Sequence, residues 1–178
     1  MMLLSPTMQK FVLHWGEMGS RWGVNRTVAQ IHALLYLSNE PLTAEDISET
    51  LGVARSNVST SLKELQSWGL IKITHILGDR RDHFDSHKDV WDIFFIIMEE
   101  RKKRELDPTL TALRECVLDA ESDQQTPAET KARIEQTLAF LEQSTGWFDQ
   151  VKKMERSTIL KLLTLGSKVQ RLLGKKKN

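Results

Sequence analysis

Three features of the sequence predict a mostly α-helical fold carrying one small β-hairpin. Apolar residues recur at intervals of three and four along most of the 178 residues, the spacing of a single buried helix face. Between Leu70 and Ile76 the pattern changes to Ile alternating with polar residues, the period of a half-buried strand. Just before it, Leu42 to Gly69 holds two short helical patterns separated by a glycine.

The first of these two helices starts at Thr43, whose hydroxyl is placed to cap the N–H groups of Glu45 and Asp46. The two carboxylates add favourable charge at the positive helix end. Ile47 and Leu51 share a face, and Gly52 supplies the left-handed residue that ends the helix. Val53 is expected to plug the corner. The second helix is expected from Arg55 to Trp68, with Val58, Leu62 and Leu65 forming one apolar stripe. Ser56, Thr60, Lys63 and Ser67 lie opposite that stripe, flanked by Asn57 and Ser59. Small residues permit close approach to base edges, and Ser, Thr and Asn both donate and accept hydrogen bonds. A merely solvated face usually intersperses Glu with Lys, and this one does not.

Gly69 closes that helix. Ile71 and Ile73 then alternate with Lys72 and Thr74, Gly78-Asp79 is expected to turn the chain, and Asp82 to Asp85 returns with Phe84 inward. Arg80 and Arg81 stand beside the turn. From Arg55 to Arg81 there are five basic and two acidic side chains, a local charge of +3 against +1 for the whole chain. Helix, tight turn, helix and basic hairpin, in that order, make a winged helix-turn-helix. In this arrangement one helix enters the DNA major groove and the wing meets backbone or minor groove. The expected DNA contacts are Arg55, Ser56, Asn57, Ser59, Thr60, Lys63, Arg80 and Arg81.

The composition, 40% hydrophobic and 28% charged, suits a chain with one compact core plus additional helices. No apolar run approaches the roughly 20 residues that cross a bilayer, and Met1 to Met8 lacks the pattern of a signal peptide, so the expectation is a cytoplasmic protein without membrane attachment. A single cysteine, Cys116, allows neither an intrachain disulfide nor a cysteine-based zinc cluster, and is expected in the core.

The remaining elements are helical. Pro6 to Met18 places Phe11, Trp15 and Met18 on one face, with Gly19 and Gly23 interrupting and Trp22 in a turn. Asn25 caps a helix from Arg26 to Tyr36 with Val28, Ile31, Leu34 and Leu35 inward. A long helix is expected from His87 to Arg104, with Val90, Trp91, Phe94, Phe95, Ile97 and Met98 inward, then a restart at Asp107-Pro108. Glu121 to Ala128 is a loop, and Thr126-Pro127 caps a helix running to about Ser144. Gly146 breaks it, and a terminal helix extends from Asp149 to Leu173, its buried side including Val169, Leu172 and Leu173. Lys175 to Lys177 form a solvated tail. The division expected is 1–26 as an N-terminal helical region in dimer contact, 27–104 as the winged module with its following helix, and 105–178 as a C-terminal dimerisation region. Closure of these helices on their own domain is the alternative. A palindromic site needs two reading heads about 34 Å apart, which favours the symmetric dimer.

The chain resembles the MarR superfamily of winged-helix regulators, and within it the GbsR-like branch. The resemblance rests on Trp22-Gly23 through Leu35, on Leu42 to Gly69, on Gly78-Asp-Arg-Arg-Asp-His-Phe84, and on the aromatic helix that continues through Glu99 to Glu105. It implies a homodimeric DNA-binding regulator, often a repressor of osmoprotectant uptake or synthesis genes, responsive to small molecules, with choline sensed in that branch. The partners so implied are a pseudo-palindromic operator in double-stranded DNA and a second copy. One departure is Ala54, where many relatives place a capping Ser. Ser56 or water is left to satisfy those amides.

Five Trp residues are present. Trp15, Trp22, Trp91, Phe94 and Phe95 are candidates for holding a quaternary ammonium effector by cation–π attraction, against the reading that they are core. His83, Asp85 and His87 share a strand face at a spacing that suits a transition metal, but a helix start near Ser86 breaks that geometry, so no metal is expected and His83 is expected to face solvent or phosphate. No phosphate loop, nucleophile elbow or His-Glu-x-x-His occurs, so neither an enzyme nor a cofactor is expected. The competing function is a winged-helix protein-interaction module that does not read DNA.

Overall fold

The computed structural model describes the backbone of residues 3–174 and the side chains of 3–165. The Lys175 to Lys177 tail and the side chains of Val169, Leu172 and Leu173 lie outside the described residues. The chain divides into two compact units, Met1–Glu100 and Arg101–Asn178.

In the first unit, α1 (Pro6–Arg21) starts at Ser5, whose hydroxyl accepts the Met8 N–H at 3.3 Å, with Pro6 in the first turn. Gly19 does not interrupt this helix. Gly16 and Gly19 are buried inside it, and a Cβ on Gly19 would lie 2.5 Å from the Ala29 Cβ. The two glycines let α1 approach α2 (Arg26–Leu37) closely. The Asn25 carboxamide oxygen caps α2 on the Thr27 N–H at 2.8 Å. Val28, Ile31, Leu34 and Leu35 are buried as their period predicts, and α2 is the central post of the core.

After β1 (Leu42–Thr43), α3 (Ala44–Leu51) opens with a reciprocal cap. Thr43 Oγ1 accepts the Asp46 N–H at 3.2 Å and Asp46 Oδ2 accepts the Thr43 N–H at 3.1 Å. The Thr43 hydroxyl also donates to Asp46 Oδ2 at 2.5 Å, and this bond, joined by the one from the Thr43 N–H, lowers the Asp46 carboxyl pKa. Gly52 follows at φ 64°, and α4 (Arg55–Ser67) packs Val58, Leu62 and Leu65 inward. Strands β2 (Ile71–Thr74) and β3 (His83–Ser86) form the hairpin, and β1 adds to its far edge, giving the antiparallel order β1-β3-β2 with Leu42 opposite Phe84 and Ile73 opposite Phe84. The third strand is too short to announce itself by alternation. The hairpin turn is wider than a Gly78-Asp79 dipeptide: the strands stop at Thr74 and resume at His83, and Ile76 to Asp79 forms a turn closed by an Asp79 N–H to Ile76 C=O bond of 3.0 Å.

The helix after the wing begins later than expected. Asp89 Oδ1 accepts the Trp91 N–H at 2.8 Å and caps α5 (Val90–Arg101). Ahead of it, Lys88 Nζ donates to the Leu35 and Ser38 carbonyls at 2.5 and 2.7 Å, fastening this segment to the end of α2. Ile93 is the buried residue of α5, whereas Val90 and Phe94 are exposed, because the face packed on the core is that of Ile93, Ile96 and Ile97.

In the second unit, the chain does not break before Asp107. Lys102–Leu106 forms one π-helical turn that runs on into α6 (Asp107–Ser122). Cys116 is exposed on α6, not in the core, since only the Leu110 face of that helix is buried. Pro127 is the extended residue before α7 (Ala128–Lys152), and Thr126 spends its hydroxyl on Asp123 instead of capping. Gly146 does not end α7, which runs through it. The break falls at Lys153 to Glu155, ahead of α8 (Arg156–Gly174).

Candidate nucleic-acid interface

Burial of Val58, Leu62 and Leu65 against α2 and α3 fixes which way α4 faces. The opposite face presents Arg55, Ser56, Asn57, Ser59, Thr60 and Lys63, all exposed. No carboxylate stands in the first two turns of α4; its acidic residue, Glu64, lies on the half-buried flank. Ala54 provides no side-chain cap, and none is supplied by Ser56, so the first-turn N–H groups of α4 have no side-chain acceptor among the described residues. A helix start of this kind, flanked by Arg55, is suited to an anion.

A groove of about 310 Å³ runs along one side of α4, between that helix, the start of α3 and the wing. Glu45, Arg55, Ser59, Lys63 and Arg81 line it, with Ile73, 40% exposed, at its floor. Ile73 therefore departs from the half-buried alternation of β2, of which Ile71 is the buried member.

Two arginines of the wing tip behave differently. Arg80 is exposed to solvent. Arg81 is held: its Nε donates to both Asp79 carboxylate oxygens at 3.0 and 3.1 Å, its Nη2 to Oδ2 at 2.5 Å, and its backbone N–H to Oδ1 at 3.0 Å. Glu45 of α3 stands 3.7 Å from the same guanidinium. These hydrogen bonds keep the Asp79 carboxyl well below the usual carboxylate range and raise the Arg81 guanidinium above its own.

His83 is buried, contrary to the expectation that it faces solvent or phosphate. Its Nδ1 lies 3.0 Å from the Arg81 carbonyl and its Nε2 3.6 Å from Asp79 Oδ2, so the imidazole braces the wing loop from beneath. The Asp85 carboxylate pairs instead with Lys88 at 3.2 Å and Lys72 at 3.8 Å. Among the described residues no cluster of His, Cys, Asp and Glu could hold a metal ion. Asp79 and Glu45 were not legible as parts of this surface, and His83 was expected on its face, not beneath it. The one available signal was an Asp two residues before an Arg in a turn, the spacing at which a carboxylate accepts a local backbone N–H.

The aromatic candidates fall into two groups. Trp15 stacks on Phe11 at 5.3 Å between centroids and lies 6.5 Å from His32, with Tyr36 on the other side of Phe11. Trp91 stacks on Phe95 at 6.3 Å, and Phe94 meets Phe95 edge-on at 5.5 Å. Trp22 closes α1 as its C-cap and is about half exposed. His32 is buried beside Trp15, its Nε2 without a hydrogen-bond partner, and burial with His87 and Lys88 nearby pushes its pKa down to about 4.

The fold and its exposed polar helix define a winged helix-turn-helix protein. Residues 22–82 match the model of the MarR family. The match spans 61 of the 178 residues, from Trp22 to the wing. It is 25% identical to the HTH-type transcriptional repressor GbsR of Bacillus subtilis (strain 168) over 139 residues, 76% of this chain and 77% of that one. To the HTH-type transcriptional repressor OpcR of the same organism it is 23% identical over 73 residues, 41% of this chain and 40% of that one. The crystal structure of a transcriptional regulator superposes with a TM-score of 0.61 at 18% identity, covering 82% of this chain and 95% of the other, which shows the shared fold. No described helix is long and apolar enough to cross a membrane.

Proposed function

We propose that this chain is a DNA-binding transcriptional regulator, a cytoplasmic homodimeric repressor with no enzymatic activity. The observation that carries the reading is the exposed face of α4: small, polar and cationic, without a carboxylate in its first two turns, and bordered by Arg80 and Arg81 of the wing. Ser56, Asn57, Ser59, Thr60 and Lys63 read base edges in the major groove. Arg55 and the uncapped α4 amides meet a phosphate, and the wing arginines meet the flanking backbone or minor groove. The relatives named as HTH-type repressors support repression as the outcome.

Residues 1–26 and 105–178 supply the dimer contacts, leaving 27–104 to present the reading head. Exposed apolar side chains on the C-terminal helices, among them Leu118, Phe140, Trp147 and Leu163, support a second copy covering them. Trp15, Trp22, Trp91, Phe94 and Phe95 receive a quaternary ammonium effector that changes operator affinity. A gel shift against genomic fragments with competitor DNA tests the reading. A retarded band that survives non-specific competitor supports it, and loss of every band at low competitor would leave a protein-interaction module in its place.

A further inference from the structure

Two locally unfavourable features of the C-terminal unit border one cleft. The first is the π-helical turn Lys102–Leu106, a rare geometry that recurs at functional sites. The second is Gly146, in the interior of the 25-residue α7, where glycine is a poor helix former. Packing within this chain does not require that glycine: a Cβ built on it meets nothing within 4 Å. The space in front of Gly146 is a cleft of about 350 Å³ between α7 and the π turn with the start of α6, near the lower end of the roughly 300–1,000 Å³ of small-molecule sites.

The lining states the chemistry of an occupant. Lys102, Arg114, Asp107, Glu142 and Asp149 carry a net charge of −1. Arg114 is committed to Glu142 through Nε and Nη2 at 2.9 and 2.8 Å, and Lys102 Nζ donates to Asp107 at 3.1 Å. Asp149 is left with Lys102 at 4.0 Å, so it is the carboxylate with capacity to spare. The Thr145 and Thr111 hydroxyls donate to the Leu141 and Asp107 carbonyls at 2.8 and 3.1 Å, which leaves their oxygens as acceptors. Among the described residues no aromatic ring lines the cleft. Its surplus is of acceptors and negative charge, not of π faces.

We propose that this cleft binds a small organic ammonium ion that retains its N–H donors, with Asp149 as counter-ion and Gly146 making room. A primary ammonium meets Asp149 and the threonine oxygens directly. A quaternary ammonium has no N–H to offer them and finds no aromatic face to replace those bonds. The cleft shares no residue with the aromatic group assigned above to an effector, and its binding does not depend on the reading of DNA contacts.

Ethanolamine and choline, which differ by three methyl groups on nitrogen, are the probes, titrated calorimetrically into the full chain. Ethanolamine binds at least about tenfold tighter than choline, and Asp149→Asn weakens it by about tenfold or more, the loss of one charge-assisted hydrogen bond. Gly146→Leu fills the cleft with a better helix former, so its melting temperature rises while ethanolamine binding is lost. Absence of ethanolamine binding to about 50 mM, far weaker than any specific site, overturns the proposal. So does a choline affinity equal to that of ethanolamine and weakened alike by Asp149→Asn, which places choline in the cleft and not at the aromatic residues, or wild-type affinity in both variants. A Gly146→Leu protein whose oligomeric state changes in light scattering also overturns it, by showing that the cleft receives a second copy.

Discussion

The Asp79 carboxylate grips Arg81 at two levels at once, taking the side chain through Nε and Nη2 and the backbone through its N–H. The loop and the guanidinium are thereby set as one piece, with Glu45 at 3.7 Å and buried His83 behind it. Removing Asp79 deletes a negative charge from a phosphate-facing surface, so charge counting alone predicts tighter DNA binding. Pre-orientation predicts the reverse. Asp79→Asn is expected to weaken operator binding several-fold, by about 1 kcal/mol, because Arg81 then pays the ordering cost on binding. Fluorescence anisotropy on one operator fragment measures it, and tighter binding would show that Asp79 only repels.

Replacing both Arg80 and Arg81 with Ala is expected to weaken binding to all sequences alike and to flatten the dependence of log K on log salt by about one to two units. Titration at four salt concentrations reads the slope. An unchanged slope with the fold intact removes the wing from the contact surface.

Asn57→Ala and Thr60→Ala act on the other component. Each is expected to cost about 1–3 kcal/mol of discrimination between operator and mutated operator while leaving non-specific affinity nearly unchanged. Selection of bound sequences from a random pool checks this, and retention of the parental motif by both variants would mean that a different face of α4 reads the bases.

His32 makes stability depend on pH. Its folded pKa of about 4 lies below the 6.5 of an ordinary imidazole in the unfolded chain, so the unfolded state takes up the proton first as pH falls. Stability is therefore full above about pH 6.5 and lost progressively toward pH 4, by on the order of 2–3 kcal/mol in all. Urea unfolding at these pH values, compared with His32→Leu, isolates the contribution. The variant should lose that part of the slope, and an identical slope in both proteins would place the acid sensitivity elsewhere.

Choline or glycine betaine is expected to quench Trp fluorescence and lower operator affinity, through contacts of about 0.5–2 kcal/mol per ring. Trp91→Ala should abolish the quench if the Trp91–Phe95 group is the site. Silence of both signals to tens of millimolar ends the quaternary-ammonium assignment and leaves the DNA-binding reading intact.

Local chemistry was legible in the sequence wherever its partners are near neighbours. Thr43 and Asn25 cap the helices they precede, Gly52 takes the left-handed turn, and the Val58-Leu62-Leu65 stripe turns inward. Each depends on groups within about two helical turns. The same stripe decided which residues of α4 face outward. Tertiary packing decided the rest. Gly19 read as an interruption, yet it lies within α1, where it and Gly16 face α2 closely, and no neighbour in sequence announces that approach. Gly146 likewise read as a break, but one glycine is too small a penalty to stop a long helix. Leu42-Thr43 became a strand only because β3 lay alongside, His83 was buried by the wing folding over it, and Arg81 met Glu45 from a different element. Periodicity and capping report the chain's own backbone preferences, whereas the β1–β3 pairing and the Arg81–Glu45 contact join residues 36 to 42 positions apart, a separation over which loop closure, not propensity, sets the cost.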